Sequence, residues 1–305
     1  MCRAFCTELD NARTSVLLPL EQDLNDVDWP RTRRAAIEAP KYLSKLPNLK
    51  DIQLYGPIYD GQLVPPDVTS AILARSGLTS LLVTRGWDTI PTQLSTLLSL
   101  NFLSLRRLNV DFSPIAACSS LTELHIEDCN VIDGDLTTLT SCSTLSQLCA
   151  LSIYNDSDYD EVHRTTDIED IGPLGVLTNL TSLRLCQLFG VESFDAIGSC
   201  TRLKVLEVWG CPGSLDGCIR RLSSLTKLEL LSCSGLSSLE PISHVTLLET
   251  LCVKWCSNIN NPSQFQWLEW CLPNLKELKC NYENVVLRGG RICVEMPVID
   301  VIDLT

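Results

Sequence analysis

One apolar pattern recurs along most of this chain. L-x-x-L-x-L, with conservative replacements, begins at Leu49, Leu78, Leu100, Leu121, Leu148, Leu180, Leu203, Leu225, Leu248 and Leu275, in steps of 21 to 32 residues. A period of this size means that one short structural unit is repeated and stacked. The last two leucines of each copy are two apart, as in a strand with one buried face. Each copy therefore predicts one short parallel strand, followed by a return segment that brings the chain back beside its start. A single unit cannot bury its own leucines, so stability is shared between neighbours.

Several copies extend to a fuller form that ends in cysteine: LTELHIEDC at Cys129, LKVLEVWGC at Cys211, LTKLELLSC at Cys233 and LETLCVKWC at Cys256. A second cysteine precedes the first leucine by three in CSSL (Cys118) and CTRL (Cys200). The position just after the strand suits a small side chain, and a thiol there replaces an amide as an apolar, weakly hydrogen-bonding group. The sixteen cysteines are thus expected to be packing residues. There is no CxxC and the three histidines (His125, His163, His244) are unpaired in sequence, so no metal site is expected.

With these motifs on residues 46–281, the chain resembles leucine-rich repeat (LRR) proteins. Ile168–Leu185 (IEDIGPLGVLTNLTSLRL) is similar to the 22-residue repeats of internalins and of a protein phosphatase 1 regulatory subunit. The terminal cysteines resemble the repeats of F-box proteins, and the mixture is similar to protozoan LRR proteins. The resemblance agrees with the strand reading. It implies an α/β solenoid, a curved right-handed coil with parallel strands on the concave face and short helices or 3₁₀ turns on the convex face. Gly217–Leu225 and Pro262–Leu275 are expected to form short helices, and Asp133–Cys142 a looser turn.

A solenoid needs its ends covered. Residues 1–45 lack a clear repeat and are read as an N-terminal cap, with a helix start at Asp28-Trp29-Pro30. Residues 282–305 are read as a C-terminal cap and tail, with a β-hairpin around Gly289-Gly290. The tail ends on VIDLT, which resembles a SUMO-interaction motif, with Val301, Ile302 and Leu304 as anchors. The alternative is a last strand folded onto the cap.

Partner contacts in LRR proteins fall on the x positions of the strands. Just after the last strand leucine stand Tyr154, Cys186, Trp209 and Leu231 in successive copies, flanked by Trp255 and Lys254. An apolar, aromatic stripe on a solvated face indicates a protein interface. Arg184 and Arg106 add cations beside it. The long step from Leu148 to Leu180 holds an acidic loop, 155–170. Asp156, Asp158, Asp160 and Asp167 match part of a calcium-loop spacing, but Glu161 stands where such a loop needs Gly. A solvated acidic loop is the preferred reading.

The net charge of −13 opposes nucleic-acid binding, which needs a basic surface. No stretch of 18 apolar residues spans a membrane. With no export signal, the thiols point to a cytoplasmic (or nuclear) location. No nucleophile elbow, zinc-protease motif, P-loop or dinucleotide fingerprint occurs, and no catalytic residue or cofactor is expected. The chain is read as a monomeric, non-enzymatic scaffold for a protein partner. The alternative is a regulatory adaptor of a cyclase, a phosphatase or a ubiquitin- or SUMO-pathway component.

Overall fold

The structure is a computed structural model. It describes residues 15–19, 49–55, 63–132, 136–141, 143–154, 168–282, 285–288 and 291–294. The chain divides into two compact units, Met1–Ile168 and Glu169–Thr305.

In the first unit the strands are β1 (Ser15–Pro19), β2 (Asp51–Tyr55), β3 (Ser80–Thr84), β4 (Phe102–Arg106), β5 (Asn109–Val110), β6 (Glu123–Glu127), β7 (Asn130–Val131) and β8 (Ala150–Tyr154). A parallel sheet runs β1-β2-β3-β4-β6-β8, each strand paired to the next without a register shift. β5 and β7 make a two-residue parallel ladder just beyond the main strands. In the second unit β9 (Ser182–Cys186), β10 (Val205–Trp209), β11 (Lys227–Leu231), β12 (Thr250–Lys254) and β13 (Glu277–Cys280) form a parallel sheet in chain order. β14 (Val285–Arg288) and β15 (Arg291–Val294) pair antiparallel.

Each of the ten motif copies holds a strand that starts two residues after its first leucine. The reason is the alternation of side chains. The second and fourth strand residues point inward, as Leu206 and Val208 do in β10 and Leu228 and Leu230 in β11, all fully buried. The first leucine of each copy is buried beneath them. Parallel strands also need a crossover on one side, which the return segments supply.

The length of the step sets the form of the return. The 29-residue step from Leu49 to Leu78 holds a full α-helix, Pro66–Leu73, which buries Val68, Ile72 and Leu73. The 22- and 23-residue steps have room for one short turn, such as the 3₁₀ turns Asp195–Ser199 and Glu240–His244. Prolines sit at the first positions of several returns, where a missing N–H costs nothing. Short helical pieces occur at Asp216–Ile219 and Ser263–Gln266, the latter followed by a 3₁₀ turn at Trp267–Trp270. Asp133–Cys142 departs from the expected loose turn: Thr137–Ser141 is helical. Leu136 and Leu139, three apart and both buried, give that segment an apolar side that helical winding points inward.

Residues 1–45 contribute one described element. Ser15–Pro19 is a further parallel strand, in register with β2 from Ser15↔Asp51 to Pro19↔Tyr55, and so satisfies the edge of β2. The remainder of the N-terminal segment, the acidic loop at 155–167 and the tail after Val294 lie outside the described residues. Packing between repeats is close. A Cβ at Gly235 would lie 1.7 Å from the Gly213 carbonyl oxygen, so only glycine fits there. Among the described residues no helix is long and apolar enough to cross a membrane.

Candidate functional site

The zero-shift register makes the outward positions of the second sheet stack into rows across the strands. The third positions give Arg184, Glu207, Glu229, Cys252 and Lys279. The fifth give Cys186, Trp209, Leu231 and Lys254. One residue further, after each of β9 to β12, the chain turns inward through a left-handed conformation: Gln187, Gly210, Ser232 and Trp255 have φ between 54° and 62°. The same turn in the first unit uses Arg85, Arg107 and Asp128.

Glu207, in the middle of β10, is only 5% exposed although it lies on the outward side. Its Oε2 accepts a hydrogen bond from Arg184 Nε at 2.6 Å, and its Oε1 accepts one from Lys227 Nζ at 2.7 Å. Lys227 reaches Glu229 as well, at 3.1 Å. Burial works to raise the Glu207 carboxyl, but the bonds from Lys227 and Arg184 outweigh it and hold the group below the usual carboxylate range. Lys227 is raised in turn, chiefly by its bond to Glu207. One carboxylate thereby fixes two cations from the strands on either side. The sequence reading missed Glu207. Its signal was the acid at the centre of VLEVW, with Arg184 one repeat before and Lys227 one repeat after.

The fixed Arg184 guanidinium lies 5.4 Å from the centre of the Trp209 ring, in cation–π range. Trp209 and Leu231 are half-buried side by side. Cys186, expected to share their stripe, is buried, so the accessible apolar row begins at Trp209. Lys254 continues the row, with its Nζ 5.9 Å from the Trp255 ring. Among the described residues no carboxylate lies within ion-pair distance of Lys254. Trp255 is 66% exposed in a left-handed conformation that bulky residues rarely adopt. Two strands over, its register equivalent is Gly210.

In the first unit Tyr154 is half-buried and stands in register with Glu127. Arg106, one strand further, is committed to its neighbours. Its Nε lies 3.8 Å from Glu127 and 3.6 Å from Asp128, and Arg107 Nε also lies 3.6 Å from Asp128. The basic and acidic residues of this part neutralise one another across β4 and β6.

The cysteines that end the repeats are buried, and each thiol donates to backbone. Cys233 bonds the Val208 carbonyl of the preceding strand at 3.2 Å and its own Leu231 carbonyl at 3.4 Å. Cys129, Cys211 and Cys256 repeat this pairing with Leu105, Leu185 and Leu230. Burial pushes Cys129 and Cys218 up to about 12 and Cys118, Cys200 and Cys211 up to about 11. Thiols so far from ionising are poor nucleophiles and poor metal ligands at neutral pH. Cys2 and Cys6 lie outside the described residues.

No protein-family model and no curated protein matches the chain. Solved structures do. An internalin C2 from Listeria monocytogenes is 20% identical with a TM-score of 0.50, over 65% of this chain and 78% of that one. An internalin from the same species is 16% identical with a TM-score of 0.44, over 92% and 88% of the two chains. An LRR protein from Leptospira interrogans is 19% identical with a TM-score of 0.49, over 80% of this chain and 64% of that one. The in-register parallel strands, the short return turns and the internalin C2 likeness together establish the fold: an α/β leucine-rich-repeat solenoid.

Proposed function

We propose that the chain is a non-enzymatic scaffold that binds a protein partner on the outward face of the second unit. Trp209 and Leu231 form the apolar centre, Lys254 and Trp255 one flank, and Arg184, held by Glu207, the other. Tyr154 and Arg106 are proposed as secondary contacts on the first unit. The observation that carries the reading is Trp255. A large indole stays exposed, in a backbone conformation costing about 1–2 kcal/mol for a residue with a Cβ, beside a row of half-buried apolar side chains. Folding alone gains little from that placement, whereas aromatic residues of this kind anchor protein interfaces.

The test is capture of partners from lysate by the wild type beside Trp209→Glu/Leu231→Glu, with circular dichroism of both. The expected result is loss of the main partner with an unchanged spectrum. An unchanged partner set would remove this row as the binding surface. An unfolded variant would show that the row is core; Lys254→Glu, on the exposed flank, then repeats the test without touching the core.

A further inference from the structure

We propose that the row Lys254, Leu231, Trp209 binds an extended segment of a protein partner, lying across β12, β11, β10 and β9, with a carboxylate opposite Lys254 and apolar side chains two and four residues from it in one direction. The inference rests on the reading of this row as a binding surface and names the chemistry of its ligand.

The first argument is charge. On the outward side of β9 to β11 the cations are already answered. Arg184 and Lys227 share Glu207, and Lys227 also holds Glu229, so two cations face two carboxylates. On β13, Lys279 pairs with Glu277 at 2.7 Å. Lys254 stands between these groups on β12, half-buried, and among the described residues no carboxylate comes within ion-pair distance of it. Its ammonium has the Trp255 indole at 5.9 Å. A cation of this kind beside an apolar row is the complement of one carboxylate. Such a pair fixes the register of a ligand and excludes those with a base in that place, more than it adds affinity.

The second argument is the width of the apolar contact. Along a single strand the outward positions are mixed: Glu207 precedes Trp209 on β10, and Glu229 precedes Leu231 on β11. Only across the strands do apolar side chains adjoin. On one side of the row lie these two carboxylates. On the other lie the small Gly210 and Ser232 at the left-handed turns. The row is therefore one side chain wide. A helix, about 10 Å across, would set part of its apolar face on Glu207 and Glu229. An extended chain presents every second side chain in a single line, which is what a row of this width can take.

The spacing then follows from two repeats. Neighbouring strands are about 4.8 Å apart, so Leu231 lies about 5 Å and Trp209 about 10 Å from Lys254, measured across the sheet. Same-side residues of an extended segment recur about every 7 Å. With its carboxylate at Lys254, the next facing side chain falls between Leu231 and Trp209, and the one after reaches β9 at about 13 Å. There Cys186 is buried and Phe189, three residues past the strand, is 67% exposed. The row is thus bracketed by two exposed aromatics, Trp255 beyond the β12 end and Phe189 beyond the β9 end, at the length of a five-residue extended segment.

The experiment is selection of random phage-displayed peptides on the full chain, wild type beside Lys254→Glu and Trp209→Glu/Leu231→Glu, with circular dichroism of each. The wild type should enrich Asp or Glu with apolar residues two and four positions away. Lys254→Glu should exchange that acid for Lys or Arg and keep the apolar positions. If Lys254→Glu is unfolded, Lys254→Gln should lose the acid preference instead. A synthetic peptide of the enriched sequence should bind the wild type about fivefold more tightly than its form with the acid changed to the amide, the upper range for a partly exposed pair. The inference is overturned by no enrichment, by apolar peptides without the acid, or by an acid that Lys254→Glu still selects. Spacings of three and four residues would also overturn it, by making the ligand a helix. If the acid preference fails while Trp209→Glu/Leu231→Glu still loses the apolar peptides, the ligand chemistry is wrong and the binding row stands. Peptides held equally by all three proteins refute the row itself.

Discussion

Removing the charge of Glu207 while keeping its shape, as Glu207→Gln, tests whether the ion triad is structural. In the wild type the carboxylate is buried and accepts two charge-assisted bonds, from Arg184 at 2.6 Å and Lys227 at 2.7 Å. A hydrogen bond to a charged group is worth about 1.5–3 kcal/mol when sheltered. Both donors here are well exposed, with side chains 47% and 37% accessible, so water screens them and each bond contributes less. Lys227 also keeps Glu229 after the substitution. The glutamine retains one acceptor oxygen but turns an N–H₂ toward a cation. The net expectation is a loss of about 1.5 kcal/mol at pH 7, roughly a tenfold change in the folded-to-unfolded ratio. The pH dependence has a definite sign. The folded-state pKa of Glu207 is lowered relative to an unfolded value of about 4.3. Between the two, the unfolded chain holds more protons, so stability rises with pH. The contribution of this carboxylate is complete above about pH 5 and disappears as pH falls through its folded pKa. The other acids titrate equally in both proteins and cancel in the comparison. Urea unfolding of wild type and variant at several pH values between 3 and 7, followed by tryptophan fluorescence and circular dichroism, measures the difference. Coincidence of the two probes is needed before a free energy is drawn. Equal stability at pH 7, or a difference that stays constant down to pH 3, would refute the assignment.

Two further outcomes are expected. Trp255→Gly should raise stability by about 1 kcal/mol, because glycine carries no penalty at φ 56°, and should weaken partner binding; thermal melts and titration with the captured partner read the two effects, and a destabilised variant would contradict the strain argument. Native-state labelling with a thiol reagent at pH 7.5 should spare Cys118, Cys129, Cys200, Cys211 and Cys218, all buried and raised, while the part-exposed Cys149, Cys271 and Cys293 react; rapid labelling of any of the buried five would show that the repeats open.

The strands were legible because each repeat writes its buried face twice, in the leucines two apart and in the leucine before them. The register was legible for the same reason: with equal motif spacing, the fifth positions of β9 to β12 had to align. The return segments were less so. Thr137–Ser141 winds into a helix on the strength of Leu136 and Leu139, which in sequence look like any two leucines in a serine- and threonine-rich stretch. At the candidate site, Trp209, Leu231 and Lys254 came from the register alone. Cys186 did not behave as its position suggested, because a thiol is small enough to sink below the row beside it. Glu207 was hidden because its partners lie 23 and 20 residues away in sequence, and only stacking makes them neighbours.

That stacking also makes the proposed binding face more specific than its residue types. In a solenoid each outward side chain has its position fixed by leucines it never touches, since Leu206 and Val208 pin the strand that presents Glu207 and Trp209. Glu207 then fixes Arg184, and Arg184 covers one side of Trp209. On the proposed reading the indole would meet a partner already oriented, so less rotamer freedom would be lost on binding. Loosening the core leucines or the carboxylate is expected to lower affinity while every proposed contact residue is kept. Glu207→Gln is the sharpest probe of that transmission, because it leaves Trp209, Leu231, Lys254 and Trp255 in place and alters only what holds their neighbour.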